Sequence, residues 1–181
     1  MSMKRYKVWD PLVRVFHWSL VLAFGANALL TDPESNLHEW IGYTVVALVA
    51  LRILWGLVGS HYARFSSFLP SASGAMGQLS DLATGRRRVH LGHTPLGALM
   101  IYNLLLSMLA IGATGYMMTT NAYWGVEWVK ELHEVLVTWA EISVVAHIAA
   151  VIWESLRTGV NLPRAMVSGV KTVPDGLNPE A

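Results

Sequence analysis

Apolar positions gather into four blocks, 11–31, 37–59, 94–118 and 132–156. Each supplies about 20 mostly apolar residues, the length that a bilayer's hydrocarbon core requires. The segments between them are polar and unequal. Residues 32–36, DPESN, read as a tight turn. The long loop 60–93 contains a stretch, 73–83, expected to form a short interfacial helix stopped by Gly85. The loop 119–131, TTNAYWGVEWVKE, is aromatic and acidic. The pattern predicts an all-α fold, an integral membrane four-helix bundle built as one membrane domain over 1–173. The tail 174–181 is expected to carry no structure.

Basic residues orient the bundle. Lys4, Arg5, Lys7 and Arg14 precede or open the first block, and Arg52 and Arg64 lie near the end of the second. Arg86, Arg87 and Arg88 sit before the third, and Arg157, Arg164 and Lys171 follow the fourth. Only Lys130 falls on the opposite side, which collects Asp32, Glu34, Glu39, Glu127, Glu131 and Glu134. The basic side is expected to face the cytoplasm, placing both termini inside and the chain in a bacterial inner membrane as a multi-pass protein. Trp40, Trp124 and Trp128 are expected to anchor the outer interface, and Trp9, Trp55 and Trp153 the inner one.

Composition agrees with the membrane reading. Of 181 residues, 54% are hydrophobic and only 14% charged, where a soluble domain would be nearer a quarter charged. The net charge is +1, so nothing calls for a nucleic-acid partner. The absence of Cys excludes disulfides, Cys-ligated iron–sulfur clusters and covalent haem attachment through C-x-x-C-H.

The chemistry lies in histidines inside these blocks. His133 and His147 stand fourteen residues apart on one helix. At about 100° and about 1.5 Å per residue, they share a face to within about 40° and stand about 21 Å apart along the axis. The derived orientation sorts four histidines by depth: His17 with His147 in the inner half, His38 with His133 at the outer face. Paired imidazoles at one depth suit bis-histidine haem b, one ligand from each of two facing helices. Gly42, four residues after His38, leaves room for a flat macrocycle. Arg52, fourteen residues after His38, and Arg14, three before His17, are placed to pair with haem propionates. Incidental interfacial or interhelical polar histidines, a non-haem metal site and a proton relay are the alternatives.

Several ordered motifs carry a resemblance. They are R-V-F-H-W (14–18), L-H-E-W-I-G (37–42), R-I-L-W-G-L-V-G-S-H-Y-A-R-F (52–65) and G-H-T-P-L-G-A (92–98). T-G (114–115), L-H-E (132–134) with His147, and N-L-P-R-A-M-V-S-G (161–169) complete the series. In this order the chain resembles the bacterial cytochrome b561 family, which includes the b-type subunits of membrane-bound nickel–iron hydrogenases. The resemblance implies a four-helix cytochrome with two haems b, ligated by His17, His38, His133 and His147, that exchanges electrons with the quinone pool. It also implies a redox partner, such as a dehydrogenase subunit or a periplasmic c-type cytochrome, or a stand-alone superoxide:quinone oxidoreductase. A homodimer is compatible with it. A non-haem, proton-coupled membrane protein is the remaining expectation.

His93, at the inner mouth of the third block, is a candidate contact for a propionate or a quinone, with an interfacial cap as the plainer reading. Asn103 and Ser107 are expected to be packing glue between helices. Glu141 is expected to be a buried carboxylate, protonated or paired, on a proton route or against a neighbouring helix. The first block also mimics a signal peptide, with a basic start and an Ala26-Asn27-Ala28 triplet. Cleavage there would discard His17, so the segment is expected to be retained. Intact-mass spectrometry of the purified protein should then give the uncleaved mass, and a mass lacking this segment would remove the first span from the bundle.

Overall fold

The computed structural model describes residues 3–175 and 179–180. In chain order the elements are β1 (Met3–Lys7), α1 (Pro11–Leu30), α2 (Asn36–Val58), α3 (Ala72–Ala83), β2 (Val89–His90), α4 (Pro95–Thr119), α5 (Glu127–Thr158), α6 (Leu162–Ser168), β3 (Val170–Pro174) and β4 (Pro179–Glu180). Two single 3-10 turns, His61–Ala63 and Phe65–Ser67, lie between α2 and α3. The four long helices α1, α2, α4 and α5 are each long and apolar enough to cross a membrane, and together they make the expected all-α four-helix bundle.

Three of the four long helices start where a side chain takes over an unsatisfied backbone N–H. Asp10 accepts from the Val13 amide at 2.9 Å and Pro11 follows at the first helical position. Ser35 caps α2 through the His38 amide at 3.2 Å, and Thr94 caps α4 through Gly97 at 3.0 Å. The Val126 that precedes α5 provides no such cap, and α5 begins at Glu127 rather than at the expected 132. It takes up part of the loop expected over 119–131. Gly159, at φ 72°, ends α5 in the left-handed conformation that favours glycine.

Packing follows chain order. α1 lies on α2, α2 on α4, and α4 most extensively on α5. By contrast, α5 has scarcely any backbone contact with α1 or α2. Val45 and Val49 of α2, Leu105 and Met108 of α4 and Ala140 of α5 form the bundle core, edged by Phe16, Leu20 and Phe24 of α1. Gly112 lets α4 approach α2: a Cβ there would collide with Val46. Large apolar residues such as Leu22, Leu29, Leu57, Val145 and Leu156 are exposed, a surface suited to lipid and not to water.

The basic end carries a folded cap that the hydrophobic pattern did not predict. β1 pairs antiparallel with β3, from Met3 opposite Pro174 to Lys7 opposite Val170, so the two ends of the chain meet on one side of the bundle. The residues expected to be an unstructured tail from 174 are partly engaged. Pro174 is paired with Met3, and β4 runs parallel to β2. Residues 176–178 and 181 lie outside the described residues. The motif at 161–169 is α6 with its caps: Asn161 accepts from the Arg164 amide at 2.9 Å, and Gly169 closes the helix at φ 80°. Gly169 is doubly constrained, because a Cβ would also press on the Trp9 carbonyl oxygen. Val8, Trp9, Val13, Ala63 and Ala165 make one small core here, and Val89, Val160 and Val173 another.

This cap corrects the reading of two tryptophans. Trp9 is buried in the cap, and the Trp55 indole donates to Asp10 Oδ2 at 3.1 Å. Neither is a free interfacial anchor. Trp40, Trp124, Trp128 and Trp153 remain exposed as expected.

Lys171 of β3 is buried at 4% exposure, and its ammonium donates to the carbonyls of His90 at 3.0 Å and Gly92 at 2.8 Å. Burial pulls its pKa down to about 8, against the opposing charge of Glu154, whereas the unfolded chain keeps the ordinary value of 10.5. Between these two values the unfolded state holds more protons, so raising the pH across that window should stabilise the fold, by on the order of 2 kcal/mol. Thermal unfolding followed by circular dichroism through this range should show the rise, and Lys171→Met should flatten it. Equal slopes in both proteins would mean that the cap does not depress this amine.

Candidate functional site

The four histidines of the bundle sort into two pairs. His17 on α1 and His147 on α5 are close enough for their charges to interact, and so are His38 on α2 and His133 on α5. The first pair lies in the basic half of the bundle and the second near the acidic end. Each pair spans the space where α5 stands away from α1 and α2. Helix packing is thin where the imidazoles face one another.

The acidic-end pair is held by two threonines, Thr114 of the T-G motif, to which the sequence assigned no role, and Thr31, which lies in none of the motifs. Thr114 Oγ1 lies 2.9 Å from His133 Nδ1, and it also donates to the carbonyls of Ala110 at 2.9 Å and Ile111 at 3.0 Å. The Ile111 carbonyl lies within hydrogen-bonding reach of the ring as well. A hydroxyl has one proton, and Thr114 commits it to its own helix backbone. It therefore accepts from His133, which puts the ring proton on Nδ1 and leaves the Nε2 lone pair free. Thr31 repeats the arrangement: Oγ1 donates to the Asn27 carbonyl at 2.7 Å and lies 3.0 Å from His38 Nδ1. Gly115, beside Thr114, makes room for the ring, since a Cβ there would sit 3.3 Å from His133 Cε1.

The basic-end pair has no such support. His17 Nδ1 is buried without a hydrogen-bond partner, and no hydrogen bond reaches His147 among the described residues. The neighbouring cations are partly engaged. Arg14 Nη1 donates to the Val167 carbonyl at 2.7 Å, while its Nε is buried and unpartnered. Arg52 is 5% exposed; Nη2 donates to the Ala63 carbonyl at 3.0 Å, the guanidinium lies 5.0 Å from the Phe65 ring centre, and Nη1 is unpartnered.

His93 sits between Trp9 and Phe68, with ring centres 4.6 and 4.2 Å away, and its Nδ1 is buried without a partner. Burial, with the nearby charges of Lys171 and Arg52, lowers its pKa to about 3, so the ring is neutral at ordinary pH. Asp10 closes this corner. Burial opposes its ionisation, but donors from Ser60, Val13 and Trp55 outweigh that cost and hold it below the ordinary carboxylate range.

A family model described as prokaryotic cytochrome b561 matches residues 8–169. The chain belongs to the prokaryotic cytochrome b561 family. It is a b-type haem electron-transfer protein of a bacterial membrane, crossing it several times. No curated protein and no solved structure matches the chain.

The residues present fit the group that the b561 family binds. A haem-ligating imidazole needs a free nitrogen lone pair and a fixed ring, and His38 and His133 have both through Thr31 and Thr114. Flat space is available too, because a Cβ at Gly42 would meet nothing within 4 Å. Among the described residues no group of three or more His, Asp or Glu could hold a metal ion, so the donor set comes in pairs.

Two polar residues of the spans have other places. Glu141, expected on a proton route or against a neighbouring helix or subunit, lies on the exposed side of α5. Its position follows from helical phase, with Ala140 and Ser143 taking the buried face. Asn103 is the packing group expected. Its amide donates to Ser143 Oγ at 2.9 Å and accepts from the Trp139 indole at 3.0 Å, tying α4 to α5. Asn103→Ala should therefore lower stability by about 1 kcal/mol per lost bond. Thermal unfolding in detergent, with haem content measured alongside, checks this; an unchanged unfolding midpoint would show that the two bonds add nothing.

Proposed function

We propose that this cytochrome holds two haems b and exchanges electrons between a redox partner and the quinone pool of the bacterial inner membrane. The observation that carries the reading is the two imidazole pairs, each close enough for their charges to interact and each shared between α5 and a helix that it barely touches. His17 with His147 would hold the haem near the basic end, and His38 with His133 the one near the acidic end. Haem b supplies a reversible one-electron couple whose potential depends on axial ligands, hydrogen bonding and burial. The basic end faces the cytoplasm in this reading.

The remaining residues have supporting tasks. Arg14, three residues before His17, and Arg52, whose charge reaches His93, each keep a buried, unpartnered N–H, suited to a carboxylate such as a haem propionate. His93 is neutral, keeps Nδ1 free and lies against two aromatic rings, which suits a propionate or a quinone carbonyl. Glu127, Glu131 and Glu134 are exposed on the acidic end and would favour a cationic periplasmic partner such as a c-type cytochrome. The exposed position of Glu141 weighs against a proton-coupled carrier, which would need that acid inside the bundle.

The purified protein, reduced with dithionite, should show the α-band of b-type haem at two haems per chain. His17→Ala or His147→Ala should remove one haem, and His38→Ala or His133→Ala the other. A stoichiometry of one, or loss of the same haem in all four variants, would overturn the di-haem assignment.

A further inference from the structure

We infer that Thr31 and Thr114 are positioning residues for the acidic-end centre, and that they hold its iron at a lower potential than the basic-end one. The inference rests on the bis-histidine reading above. Each threonine spends its proton on the backbone carbonyls behind it and turns a lone pair toward Nδ1 of a ligand. Hydrogen bonding at Nδ1–H makes an imidazole a stronger electron donor through Nε2. A more basic axial ligand stabilises ferric over ferrous iron and lowers the reduction potential. Both ligands at the acidic end have this support, and among the described residues neither does at the basic end, where His17 Nδ1 is buried without a partner. The charge of Glu134 also reaches His133 and acts in the same direction.

The two supports come from different elements. Thr114 sits inside α4, on the helix that packs hardest against α5, the carrier of His133. Thr31 is the residue that ends α1, and it reaches across the tight turn to His38 on the first turn of α2. Each ligand is thus fixed by a neighbouring helix, and both rings keep the same nitrogen free.

Redox titration of the purified holoprotein, followed by its visible spectrum, tests this. The centre lost in His133→Ala identifies the acidic-end step. That step should titrate below the other in the wild type. Thr114→Val and Thr31→Val should each move it upward and leave the other in place, and Thr114→Ser, which keeps the hydroxyl, should return it. Loss of the acidic-end haem in Thr114→Val with retention in Thr114→Ser would equally support the role, since loss of such outer partners typically costs about 10–100-fold in metal affinity. Both valine variants keeping full haem content and the wild-type titration would overturn the inference while leaving the di-haem reading intact. Absence of haem from the wild-type protein would instead remove the reading on which it rests.

Discussion

The packing of α4 on α5 governs the site. α5 carries two of the four imidazoles, yet it barely touches the helices that carry the other two. Its position is therefore set from behind, by α4. Asn103 bonded to Ser143 and Trp139 fixes their relation in one half of the bundle. Thr114 and Gly115 do so near the acidic end, where one grips His133 and the other makes room for it. In a bilayer no hydrophobic effect presses helices together, so close contact and shared hydrogen bonds must do this. Once α4 holds α5, each imidazole of α5 is brought near its partner with little contact between their helices.

The spans were legible because they follow from regular geometry, and the same geometry sorts the four histidines by depth. A bilayer demands a long apolar run, and a helix of known pitch converts sequence spacing into depth. Caps such as Asp10 with Pro11 or Thr94 with Pro95 mark helix starts in the sequence as well as in space. The start of α5 was missed because Val126 gives no capping signal. The basic-end cap was missed because its elements are short and hold together through distant contacts, such as the amides of Val8 and Trp9 donating to the Gly169 carbonyl at 2.9 and 3.1 Å. The contacts of Thr31 and of Thr114, the latter part of the T-G motif, were not legible for another reason. A threonine in a span usually turns its hydroxyl back to its own helix, and both do so here. Only the fold reveals that the remaining lone pair meets an imidazole from another helix.

The two ends of the molecule differ in kind. The acidic end is a pair of helix connections with exposed carboxylates. The basic end is a small domain in itself, with strand pairing, α6 and two apolar clusters. Its buried polar groups are concentrated around Trp9, Asp10, Arg52, His93 and Lys171. Several of these were counted from sequence as orienting charge, and they also build the cap. Arg52 and Lys171 use backbone carbonyls as partners, which keeps their charges inside with no carboxylate at contact distance among the described residues.

The ends of α1 carry a consequence for how the two histidine pairs behave together. His17 lies in one half of this helix and Thr31 terminates the other. One rod thus carries an imidazole of the basic-end pair and steadies an imidazole of the acidic-end pair. Because a helix moves as a stiff unit, a tilt of α1 cannot be confined to either. A disturbance of the basic-end cap, where Arg14 of α1 is bonded to Val167, would shift the Thr31 hydroxyl relative to His38 at the far side of the membrane. The settings of the two histidine pairs are in this sense linked mechanically, along a single helix.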